Sequence, residues 1–226
     1  MNNPIVLLHG ALGSATQLEP LKKLLTEKGR EVYSINFSGH SGMPFSENGF
    51  GIDVFAQDVI RFLDHEKIET TDIFGYSMGG YVALRLAHQN PSRVNTTITL
   101  GTKFDWSPQS AEKEIKKLDP VRIQTKVPAF ARILEHRHEP NDWKELIKKT
   151  SDMMYDLGEQ PLLTPKIFSS LSHKFKILLG DQDDMADRSY SEKVAGFLKN
   201  AEFHLLKNTP HPIEKVNLKE LIDFIN

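Results

Sequence analysis

The chain has 226 residues, a formal net charge of -2 and no cysteine. That length, with 39% hydrophobic residues, suits one domain around one sizeable core. The near-balanced charge offers no basic field for nucleic acid or an anionic membrane, and the missing cysteines exclude disulfides, thiolate nucleophiles and cysteine-based zinc sites. No apolar run approaches the ~20 residues of a membrane span. Met1-Asn2-Asn3 carries no basic run and no long apolar stretch follows. A secretory leader is therefore not expected, and a cytoplasmic location is.

Taken in chain order, residues 4–8 form a short buried-strand pattern. It stops at His9-Gly10-Ala11-Leu12-Gly13-Ser14, a glycine-rich loop whose backbone N–H groups can point at an anion. A helix is predicted over 16–28, ending at Gly29, a usual C-cap. A strand over 31–37 leads into Ser38-Gly39-His40-Ser41-Gly42. The next helix, 50–64, carries Phe55, Val59, Phe62 and Leu63 on one face.

An apolar run ending in Thr71-Asp72-Ile73-Phe74 then meets Gly75-Tyr76-Ser77-Met78-Gly79, and a helix pattern follows to about residue 89. Ser77 thus lies where a strand turns sharply into a helix. A side chain at either flanking glycine would clash across so tight a bend. An exposed serine on a strained turn at a helix N-terminus is placed to act as a nucleophile.

A strand over 96–101 precedes a break in the alternation. Residues 102–173 hold helix-like segments at about 110–118, 128–136, 141–156 and 165–172, punctuated by Pro120, Pro140 and Pro161. The strand pattern resumes at 174–180, with the carboxylates Asp181, Asp183 and Asp184 just past its end. Ser189-Tyr190-Ser191-Glu192 reads as a capping box opening a helix to about residue 198. A strand over 202–206 leads to Thr209-Pro210-His211-Pro212, and a histidine between two prolines sits on a loop. The last helix starts near Asn217 and buries Leu218, Leu221, Ile222 and Ile225.

Strands alternating with helices imply a parallel sheet covered on both faces. The order serine, then aspartate, then histidine, together with the G-x-S-x-G turn, resembles the α/β-hydrolase superfamily over essentially the whole chain. His9-Gly10 matches that family's oxyanion loop, Gly180-Asp181-Gln182-Asp183 its G-x-x-D, and His211 its C-terminal histidine. Ser38-Gly39-His40-Ser41-Gly42 is similar to the loop after its next strand. The resemblance implies a doubly wound, mostly parallel six-stranded sheet without the family's N-terminal antiparallel pair. It also implies a core of residues 1–101 and 174–226 with a helical cap inserted at 102–173.

Chemically, the resemblance implies two-step acyl transfer to water. Ser77 attacks an ester-like carbonyl, His211 takes and returns the proton, and Asp183 steadies the imidazole. The oxyanion donors it implies are the backbone N–H groups of Ala11 and Met78. Asp181 would lie too near the strand end to reach the histidine loop, and Asp184 should project differently. No cofactor and no metal are expected. The expected partner is a small ester or thioester. C–C bond hydrolysis, lyase chemistry or ligand binding without catalysis are alternatives the family also supports.

His9 reads as a packed histidine shaping its loop, and His40 as structural. His136 and His138, two apart, fall on different helix faces, which argues against a metal pair. Residues 135–139 read as a solvated face. Met153-Met154-Tyr155 suits packing of the cap or the lining of a pocket. Lys113, Lys116 and Lys117 read as an exposed helix face.

Overall fold

The computed structural model describes residues 3–225. Six strands form one sheet: β1 (Ile5–Leu8), β2 (Val32–Ile35), β3 (Thr71–Tyr76), β4 (Val94–Leu100), β5 (Lys174–Gln182) and β6 (Ala201–Pro210). Their order is β2-β1-β3-β4-β5-β6, and every pairing is parallel. The expected six-stranded sheet is therefore present, and among the described residues it is parallel throughout.

The sheet is buried on both faces because its strands present apolar side chains alternately to each. Ile5 and Leu7 of β1 face one layer with α1 (Glu19–Glu27) and α10 (Leu218–Ile225), against Leu21, Leu25, Leu221 and Ile222. Val6 and Leu8 face the other layer with α2 (Ile52–His65), α3 (Met78–Gln89) and α9 (Arg188–Phe197), against Phe55, Val59, Val82 and Val194. All four β1 residues are wholly buried. From β1 the chain steps outward to β2, then returns to place β3 on the other side of β1. That reversal opens a crevice beyond the carboxyl ends of β1 and β3, where ligands bind in open α/β sheets.

Five helices lie between β4 and β5: α4 (Pro108–Ile115), α5 (Pro120–Lys126), α6 (Pro128–His138), α7 (Trp143–Glu159) and α8 (Pro165–Ser170). The sequence pattern predicts four, without α5. That seven-residue helix is too short for a periodic signal, yet Asp119 caps it, accepting from the N–H groups of Val121 and Arg122. A separate apolar cluster joins Ile123, Ala131, Leu134, Trp143, Leu146 and Ile147 of these helices to Leu12 of the β1 loop.

Several boundaries differ from expectation. α9 is capped by Asp187, whose carboxylate accepts from the Tyr190 N–H at 2.7 Å, so the Ser189 capping box does not form. β5 runs on to Gln182 and β6 to Pro210, because the two strands keep pairing past an irregularity after Gly180. Asp181 therefore belongs to the strand, and His211 follows β6 directly.

Candidate active site

Ser77 caps α3 with φ 52° and ψ -118°, a left-handed conformation uncommon for a residue with a side chain. Its backbone N–H is held by the Leu100 carbonyl at 2.8 Å. The flanking glycines are obligatory. A Cβ on Gly75 would meet the Gly79 carbonyl oxygen at 2.4 Å, and one on Gly79 would meet the Leu8 carbonyl oxygen at the same distance. The helix thus packs tightly on β1 and pushes the serine out beyond the sheet.

The structure brings Ser77, His211 and Asp183 together. His211 Nδ1 lies 2.8 Å from Asp183 Oδ2, and its Nε2 lies 3.2 Å from Ser77 Oγ. A carboxylate only accepts, so Nδ1 carries the proton and Nε2 is left to accept from the serine hydroxyl. The other Asp183 oxygen accepts from the N–H groups of Met185 and Ala186, both at 2.9 Å. Burial pushes the Asp183 carboxyl up, but the His211 hydrogen bond and charge and these two N–H donors outweigh it and hold it below the usual range. Asp181 is turned elsewhere and accepts from the Thr209 N–H at 3.1 Å. Asp184 is exposed.

Two supporting residues gave no signal in the sequence reading. Tyr76 sits at the variable position of the G-x-S-x-G turn, and its hydroxyl donates to the His211 carbonyl at 3.1 Å. Burial raises its phenol well above the ordinary value, so it stays a donor. Gly101, just past β4, has φ 61°, and a Cβ there would lie 2.9 Å from Asp183 Oδ2. A side chain at this position would collide with the Asp183–His211 pair. Only a long-range contact reveals that requirement.

Above Ser77 lies a cavity of about 520 Å³. Its floor includes Gly10, Ala11, Ser77, Met78 and His211. Its walls include Ile52 and Tyr81 from the sheet layers and Trp106, Ile123, Phe130 and Leu157 from the β4–β5 insertion. Ala11 and Met78, the oxyanion candidates, both face this space. Among the described residues the Ala11 N–H meets no acceptor.

Lys113, Lys116 and Lys117 are exposed, as expected, and Lys117 also borders the cavity and pairs at 2.8 Å with Glu114, whose side chain is nearly buried. Met153 and Met154 line the cavity, whereas Tyr155 is exposed. His138 is wholly buried, not part of a solvated face. The expectation that it does not pair with His136 in a metal site is untouched by this. His9 and His40 are also wholly buried. Among the described residues no group of three or more His, Cys, Asp or Glu side chains is arranged to hold a metal ion. Nor is any helix among them long and apolar enough to cross a membrane.

Residues 3–142 match the family described as the alpha/beta hydrolase fold. A probable alcohol acetyltransferase of Cyberlindnera fabianii is 30% identical over 110 residues, covering 47% of this chain and 29% of that protein. The esterase YbfF of Escherichia coli K12 is 24% identical over 176 residues, covering 76% of this chain and 66% of that protein. The chain thus matches under a third of the length of the first relative and about two thirds of the second. Among solved structures, Est816, described as an N-acyl homoserine lactone degrading enzyme, superposes with a TM-score of 0.78 at 18% identity, covering 100% of this chain and 92% of that one. Likeness at that identity speaks for the fold alone.

Proposed function

Because the chain belongs to the alpha/beta hydrolase fold family, we propose that it is a serine hydrolase that cleaves a small carboxylic ester or thioester through an acyl-enzyme. One observation carries the reading: the hydrogen-bonded series Ser77–His211–Asp183 on the floor of a largely apolar cavity. As the Ser77 oxygen attacks the substrate carbonyl, His211 Nε2 takes its proton, and Asp183 stabilises the imidazolium that results. The oxyanion is held by the N–H groups of Ala11 and Met78, the latter at the positive end of α3. The protonated His211 then gives its proton to the leaving alcohol or thiol. Water, activated by the same imidazole, releases the acid.

The cavity is within the range of about 300–1,000 Å³ usual for small-molecule sites. Its apolar walls favour an apolar acyl or alcohol part. The core of residues 1–101 and 174–226 supplies the reacting groups in this reading, and the cap at 102–173 shapes the pocket. The names of the relatives, an esterase and a probable alcohol acetyltransferase, agree with an acyl-enzyme that water or an alcohol discharges.

The test is a series of p-nitrophenyl esters and acyl thioesters of graded acyl length, run with and without added ethanol. Saturable hydrolysis with an optimum acyl length is expected, and ethanol should divert part of the acyl group to ethyl ester. No turnover of any member would overturn the reading and favour lyase chemistry, C–C bond cleavage or ligand binding on the same fold.

A further inference from the structure

The loop after β1 is strained, and what restrains it comes from the insertion. Leu12 has φ 55°, a left-handed conformation that a leucine seldom adopts. Its carbonyl oxygen accepts two hydrogen bonds from consecutive residues of α6: Arg137 Nη1 at 2.8 Å and His138 Nε2 at 3.0 Å. The other nitrogen of His138, Nδ1, accepts from the Ser41 N–H at 3.0 Å. A carbonyl can only accept and an amide N–H can only donate. The ring is therefore neutral, protonated at Nε2, and satisfied at both ends although wholly buried.

The peptide two steps upstream, between Gly10 and Ala11, is braced as well. The Gly10 carbonyl accepts from His9 Nδ1 at 2.8 Å and from the Gly13 N–H at 3.1 Å. In a planar trans peptide the C=O and the following N–H point in opposite directions. Holding the Gly10 oxygen on the protein side therefore aims the Ala11 N–H away from it. Gly13, whose N–H closes that turn, comes directly after Leu12. A Leu12 peptide free to rotate would carry Gly13 with it and loosen the Ala11 donor. The Leu12 side chain adds a third restraint, packed among Ile123, Leu134 and Trp143.

We infer that Arg137 and His138 are positioning residues: from α6 they clamp the Leu12 carbonyl and so hold the Ala11 N–H in place for the oxyanion. The inference rests on the serine-hydrolase reading above. It gives the insertion a part in the chemical step besides roofing the pocket. Neither residue touches the reacting atoms in this role. Their effect passes through the loop backbone.

The test uses the full chain and p-nitrophenyl butyrate as probe, with kcat and KM measured separately and folding checked by circular dichroism. His138→Leu removes both ring hydrogen bonds and should lower kcat about 10- to 100-fold, less than outright loss of an oxyanion donor, while KM changes by under about threefold. His138→Gln puts an amide N–H near the place of Nε2 and should recover much of that loss. Arg137→Met, which leaves the His138 donor in place, should lower kcat by a smaller factor. A folded His138→Leu protein with wild-type kcat overturns the clamp, as does a His138→Gln protein no faster than His138→Leu. If His138→Leu does not fold, an unchanged kcat in Arg137→Met overturns it. Ser77→Ala separates the two levels. If it retains wild-type turnover, the serine-hydrolase reading itself fails and the clamp falls with it. If it is inactive, the His138 and Arg137 variants judge the clamp alone.

Discussion

Asp183 is distinguished from its neighbours by what its two oxygens do. One accepts from His211, and the other is tied to the backbone N–H groups that follow. Asp181 instead accepts from Thr209 across the β5–β6 pair. Asp183→Asn should therefore leave the fold intact and lower kcat by about 10^4-fold, because an amide can hold the wrong imidazole tautomer. Asp181→Asn should cost little. Steady-state kinetics on the two purified variants decides this, and a crippled Asp181→Asn beside an active Asp183→Asn would reassign the acid. The candidate residues were legible because each sits in a local signature: a serine between two glycines at a strand–helix turn, a histidine between prolines, and an aspartate three past a glycine. Tyr76 and Gly101 were not legible. Their roles depend on His211, which lies more than a hundred residues away in sequence.

Secondary-structure elements were legible where their periodicity was long. Helices α2, α3 and α7 and the buried strands fall close to where the apolar pattern puts them. Short pieces escaped, α5 among them, since seven residues give barely two turns. Of the three wholly buried histidines among the described residues, His138 escaped, while His9 read as packed and His40 as structural. They come from three separate elements: His9 after β1, His40 after β2 and His138 at the end of α6. Their rings lie 5.0 Å (His9 to His40) and 5.8 Å (His40 to His138) apart. Burial, with the Arg137 charge adding to it, lowers His9 and His138 to about 4, and burial holds His40 well below its ordinary value. The sign follows directly. Between about pH 6.5 and 4 the unfolded chain binds protons that the folded chain refuses, so stability falls as pH falls through that window. His9 and His138 would each contribute on the order of 3 kcal/mol to that loss by pH 4. Urea unfolding at pH 7, 5.5 and 4.5 should show a steadily falling midpoint. A midpoint flat over that range would contradict neutral burial of this group.

For the molecule as a whole, the sheet order alone predicts where chemistry should sit. The strand order reverses at β1 and β3, and Ser77 and the Ala11 loop emerge from the carboxyl ends of those two strands. Alternation of strands and helices made this architecture readable. It did not reveal how the insertion closes over the crevice, because that depends on which helix faces pair, and short helices carry weak face signals. The central claim is that Ser77 is an activated nucleophile. The most direct check is to treat the protein with a fluorophosphonate, weigh the intact chain and map the modified peptide. The Ser77 oxygen should displace fluoride from phosphorus and leave one adduct per chain on the peptide carrying Ser77, with none in Ser77→Ala. No adduct on the wild-type protein, or an adduct on another residue that persists in Ser77→Ala, would contradict the account.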